Sequence, residues 1–148
     1  MNDQYQLHRF VDAQQAVFER VCAELRAGNK RTHWMWFIFP QIKGLGHSEL
    51  ARRYAISSLA EARAYLEHPI LGNRLRECSR LVHAVDGRTI DEIFGYPDDM
   101  KFRSSMTLFG QASADNQVFN DCLLKYFSGE PDPLTLSQLR SLHAGDGQ

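Results

Sequence analysis

Apolar residues recur along this chain at helical intervals. Leu7, Phe10, Val11, Val17, Phe18, Val21, Cys22 and Leu25 form one stripe, closed by Gly28-Asn29, and predict a long amphipathic first helix. The run HWMWFIFPQ (residues 33–41) follows, where Pro40 keeps Phe39 out of helical geometry and ends any helix early. IKGLGHS (residues 42–48) reads as a glycine-bearing loop, and Ser48 as the N-cap of a short helix reaching roughly to Ile56. Ser58 with Glu61 fits a capping box that opens a helix ending near His68. Pro69 suits the first position of the next helix, striped by Leu71, Leu75, Cys78, Val82 and Val85. Thr89 with Glu92 is a second capping box, and Gly95 closes that short helix. Asp98 caps a helix carrying Phe102, Met106 and Phe109, and Val118, Phe119, Cys122, Leu123, Tyr126 and Phe127 mark another. Asp132-Pro133 starts the last, which uses Leu136, Leu139 and Leu142, and residues 143–148 should fray.

No alternating run is long enough for a sheet, and no Asn-Gly hairpin signal occurs. Residues 1–148 therefore read as one all-α domain; an α/β variant would need HWMWFIFPQ to be a buried strand. A chain of 148 residues buries roughly 68–70% of its unfolded surface, so its core needs no staples. A net charge of −1 argues against nucleic acid as a partner bound through bulk phosphate attraction. The longest apolar run, residues 34–39, is far below the ~20 residues of a membrane span, and MNDQYQLHRF lacks a signal peptide's apolar run. A cytoplasmic protein with no membrane partner is the expectation. Cys22, Cys78 and Cys122 are widely spaced on apolar stripes and read as buried free thiols, with no metal site and no cofactor implied.

Chemistry is sought where polar side chains interrupt those stripes. Gln14 lies between Phe10 and Val11 on one side and Phe18 and Val21 on the other. A buried amide without partners costs on the order of 1–3 kcal/mol, so Gln14 either bonds a neighbouring loop or faces a cavity open to a ligand. Arg74 projects at the edge of its helix's apolar face, where a salt bridge to Asp98 or Asp99 competes with an anionic ligand. Ser105 sits inside the Phe102–Met106–Phe109 arc; with Ser104 and Thr107 it puts three hydroxyls around one turn, Lys101 lying one turn earlier. Gly44 and Gly46 either make a plain turn or bring backbone amides close to a ligand, with the Ser48 helix start favouring an anion. In the aromatic run, a helical reading places Trp34, Phe37, Ile38 and Gln41 on one face, with Met35, Trp36 and Phe39 elsewhere. Most of these rings are core, yet an aromatic face edged by His33 and Gln41 also suits a planar ring such as a nucleobase.

HRFVDAQ (8–14), HWMWFIFPQIKGLGHS (33–48), YAI (54–56), AYLEHPILGNRL (64–75) and IFGYPDDMKFRSSMTLF (93–109) together resemble the bacterial domain-of-unknown-function family 1810 over nearly the whole chain. The resemblance implies a mainly α-helical single domain and brings no function with it. Its members often carry the label "calpastatin", which physics rejects here. Calpastatin inhibitory segments are disordered and poor in aromatics, whereas this chain is 11% aromatic and striped to fold alone.

Two function classes follow. In the first, a pocket takes a small planar anion, a nucleotide or ADP-ribose-like molecule. Trp34 or Trp36 stacks on it, the Gly44–Ser48 amides with Arg74 or Lys101 hold the charge, and Gln14 and Gln41 orient it, Ser105 lying nearby. If chemistry occurs, His33 or His68 serves as acid or base beside Asp98 or Asp99, in a non-covalent hydrolase or transferase. No G-x-S-x-G, H-E-x-x-H or P-loop is present, so enzyme status stays open. In the second, the chain is a helical interaction module with an unidentified protein partner. The two part over whether Gln14, His33, Gln41, Ser48, Arg74 and Asp98 converge on one concavity.

Overall fold

The structure, a computed structural model, describes residues 3–146. Ten helices and no strand occur among them. The first five are α1 (His8–Gln15), α2 (Phe18–Arg26), α3 (Met35–Ile38), α4 (Glu49–Arg53) and α5 (Leu59–Glu67). The rest are α6 (Leu71–Ala84), α7 (Ile90–Phe94), α8 (Asp98–Ala112), α9 (Gln117–Phe127) and α10 (Pro133–Asp146). The all-α expectation holds.

The stripe expected as one long helix is two. Val17 leaves helical geometry (φ −120°) and its N–H closes a tight turn onto the Gln14 carbonyl at 3.1 Å. α8 is the central helix, packed against α5, α7, α9 and α10, and every residue from Ser104 to Gly110 is buried. That is why the hydroxyls of its SSMT turn lie inside the protein. Around it the core is aromatic: Phe102 stacks on Phe94 and meets Phe39 edge-on, both at 5.0 Å between centroids, and Trp34 lies 6.2 Å from Phe39. α6 packs against α2, α5 and α9. Its approach to α5 depends on Gly72, where any β-carbon would run into the Leu66 carbonyl oxygen.

Local capping explains most helix starts. Ser48 accepts from Ala51 N–H and Ser58 from Glu61 N–H, each at 3.1 Å, and the Thr89–Glu92 box is complete. The Ser58 box is only half formed, because the Glu61 carboxylate instead takes Ser57 N–H, the Ser57 hydroxyl and Arg9. α6 begins two residues after Pro69, and the His68 imidazole caps it by accepting from Ile70 and Leu71 N–H. Asp98 is not a cap: it is the first residue of α8, and its carboxylate binds two lysines. α4 stops at Arg53, short of the expected Ile56, because Ile56 pairs with Ile42 in an isolated parallel bridge. α10 continues to Asp146, through most of the stretch expected to fray; residues 147–148 of that stretch lie outside the described residues.

Candidate functional site

The Ile42–Ile56 bridge shapes the site. Lys43 N–H donates to the Ile56 carbonyl and Ile56 N–H to the Gln41 carbonyl, both at 2.9 Å, so the chain from 43 to 55 stands out as a clipped excursion. Between that excursion and the starts of α8 and α10 lies a cleft of about 480 Å³. Trp36, Gln41, Leu45, Gly46, His47, Ser48 and Ala51 line one side. Tyr96, Pro97, Met100, Lys101 and Ser104 line the second, and Asp132 with Leu134 closes the end. A small crevice beside it shares Trp36, Gln41 and Gly46 and adds Gly44.

Five of the residues singled out from sequence therefore meet here: Trp36, Gln41, Gly46, Ser48 and Lys101, with Gly44 adjoining. The aromatic run divides accordingly. Trp34, Met35, Ile38 and Phe39 are buried, while Trp36 and Phe37 stay half-buried. The helical-face assignment fails because α3 is a single four-residue turn, too short to present a consistent face.

The other candidates do not converge: of the six residues whose meeting was to favour a pocket, Gln41 and Ser48 line the cleft, Asp98 stands beside it, and Gln14, His33 and Arg74 lie elsewhere. The Gln14 amide donates to the Phe37 carbonyl at 2.7 Å and the Tyr65 hydroxyl at 3.1 Å, and its oxygen accepts from Arg74 at 3.3 Å. Arg74 also reaches Gln15 and lies over the Phe18 ring, so its expected partner, Asp98 or Asp99, is replaced by amides of α1 and the start of α2's stripe. The Trp34 indole N–H donates to buried Glu24 at 2.9 Å. Ser105 is wholly buried and its hydroxyl finds no partner among the described residues. His33 is exposed and lines no part of the cleft. His68 faces a separate hollow with Asp3, Tyr5 and Glu67. Asp99 accepts from Met100 N–H, and burial pushes its carboxyl up from the ordinary range, helped by Asp91 and Asp98.

Asp98 stands beside the cleft as the middle of a charge cluster. Its carboxylate holds Lys30 at 2.8 Å and Lys101 at 3.3 Å. Each lysine lies over one of the two tryptophans: Lys30 is 5.1 Å from the Trp34 ring centre, and Lys101 is 5.2 Å from that of Trp36. Lys101 brings one ammonium group to the cleft, whose other charged side chain is Asp132, while Asp91 and Asp99 stand near the Asp98 cluster. α4 contributes no comparable charge, being five residues long with its N-terminus already capped by Ser48.

Sequence reasoning missed Asp132 as a cleft residue. Its capping role is visible in Asp-Pro-x-x followed by a helix stripe, but its contact with the cleft depends on α10 docking against α8, which no local pattern carries. Among the described residues, no group of three or more His, Cys, Asp or Glu side chains is placed to hold a metal ion, and no helix is long and apolar enough to cross a membrane.

The molecule is thus an all-α protein with a cleft beside a bridged loop, walled by Trp36 and carrying one lysine and one aspartate. The chain belongs to the family described as protein of unknown function, DUF1810, whose profile matches residues 4–139. It is similar to the conserved hypothetical protein Rv1873 from Mycobacterium tuberculosis, with 57% sequence identity and a TM-score of 0.92 over 93% of this chain and 99% of that one. No protein among the curated ones matches it.

Proposed function

We propose that the cleft binds a small planar anion of the nucleotide class, ADP-ribose-like molecules included. One observation supports this above the rest: Trp36 is only half-buried in the cleft wall, and Lys101 Nζ sits 5.2 Å from its ring centre. A base stacked on the indole brings its phosphate within reach of that ammonium. Gln41 and Ser48 supply hydrogen-bonding groups on the same side. The anion is assigned to Lys101, the ammonium group in the cleft lining.

Thermal unfolding with AMP, ADP, ADP-ribose and ribose 5-phosphate tests this. A ligand at 100 times its dissociation constant adds about 2.7 kcal/mol, which in a domain of this size raises Tm by roughly 5–10 °C. Lys101→Ala should abolish that rise while leaving the unliganded Tm close to wild type. No shift with any of the four contradicts the proposal. Should the ligand turn over, the groups in the cleft able to move a proton are His47 and Asp132, not His33 or His68. Chromatography of the same mixtures reads this directly.

A protein partner is the second reading, favoured by the apolar rim: Tyr96 is 81% and Leu134 67% exposed. It predicts no thermal shift with any of the four ligands.

A further inference from the structure

Asp132 is 6% exposed, yet it lines the cleft. One of its oxygens, Oδ2, accepts from the Ser104 hydroxyl at 2.9 Å, Thr135 N–H at 3.1 Å and the Thr135 hydroxyl at 2.6 Å. Its backbone N–H donates to Thr107 Oγ1 at 2.8 Å. The side chain is therefore held between α8 and the first turn of α10 and cannot swing. Oδ1 accepts no hydrogen bond from any described residue. A carboxyl group offers about four acceptor sites; Oδ1 is not among the fully buried unpartnered atoms, so its open sites remain accessible to a donor that enters the cleft. A water can serve, and a ligand that displaces it must bring the same N–H or O–H.

We propose that Asp132 Oδ1 is the specificity-determining acceptor of the cleft, selecting ligands that present a hydrogen-bond donor, a ring amine or a sugar hydroxyl, while Lys101 takes their anion. Ser104, which orients Asp132, and Lys101 stand one turn apart on α8, so one helix sets the spacing of both contacts. The proposal deepens the nucleotide reading and rests on it.

Calorimetric titration of the full chain with AMP, IMP and 2′,3′-dideoxy-AMP tests it. IMP replaces the exocyclic 6-amine with a carbonyl, which moves the donor of that edge to N1, and the dideoxy analogue lacks the sugar hydroxyls. Wild type should bind AMP at least about tenfold more tightly than the analogue missing the donor in use, the loss of one good hydrogen bond. Weakening confined to IMP identifies the amine; weakening confined to the dideoxy compound identifies the hydroxyl. Asp132→Asn sharpens the test. The Thr135 backbone N–H can only donate and so requires an oxygen at the Oδ2 position, which puts the new NH2 group at the Oδ1 position. The preference for AMP should then collapse to less than about twofold or reverse. Equal binding of all three by wild type, or an unchanged preference in D132N, overturns the proposal and leaves nucleotide binding standing. Failure of all three to bind overturns both. If D132N does not fold, the wild-type series decides alone.

Discussion

Glu24 accepts Arg31 N–H, Thr32 N–H, the Thr32 hydroxyl and the Trp34 indole N–H, all within 3.1 Å, and is buried. Burial by itself pushes its carboxyl up, but these donors outweigh that and hold it at about 2, below the ordinary 4.5. The folded form thus binds a proton less readily than the unfolded chain. The associated stability is complete above pH ~4.5 and is lost as pH falls toward ~2. A shift of this size corresponds to roughly 3 kcal/mol at most. Glu24→Gln should therefore lose about 2 kcal/mol at pH 7 and show a flatter decline between pH 4.5 and 2 in denaturant titrations. An unchanged acid limb would contradict the assignment. Gln14 and Arg74 teach a related lesson at the same scale. Each interrupts an apolar stripe and looks poised for a ligand, and the fold satisfies both internally: Gln14 with Phe37, Tyr65 and Arg74, and Arg74 with Gln14, Gln15 and the Phe18 ring.

Helix starts were the most legible elements, because a cap is a conversation between residues three apart. Ser48, Ser58, Thr89 and Asp132 all mark true starts. The break between α1 and α2 was not legible, since the apolar stripe runs through Ala16-Val17 without a glycine or proline to betray it. Nor was the half-formed Ser58 box, because Glu61 is claimed by Arg9 from the far side of the chain. The site divides in the same way. Trp36, Gln41, Gly46, Ser48 and Lys101 announced themselves as aromatic or polar breaks, whereas Asp132 and Tyr96 reach the cleft only through long-range packing. At the α5–α6 junction, Gly72→Ala forces a methyl onto the backbone oxygen of Leu66. It should cost about 2 kcal/mol or more, read as a lower urea midpoint at unchanged slope. A change within about 0.5 kcal/mol would show that α6 can shift away.

Across the whole molecule, α8 connects stability to the site. Its middle is buried from Ser104 to Gly110, while its first turn carries Asp98, Met100 and Lys101 to the surface. Phe102 and Phe109 of the core and Met100, Lys101 and Ser104 of the cleft therefore belong to one helix, and the excursion from 43 to 55, clipped at its base by the Ile42–Ile56 bridge, supplies the opposing wall. Trp36 is the residue on which a stacked ring depends and is not among the wholly buried side chains. Calorimetric titration of AMP into wild type and Trp36→Ala is the most direct measurement. The account predicts saturable binding to wild type and a loss of about tenfold or more in the variant, the scale of one base–aromatic stack, measured on variant protein that still shows a cooperative unfolding transition. Equal affinity in the two proteins, or no binding heat in wild type, would contradict it.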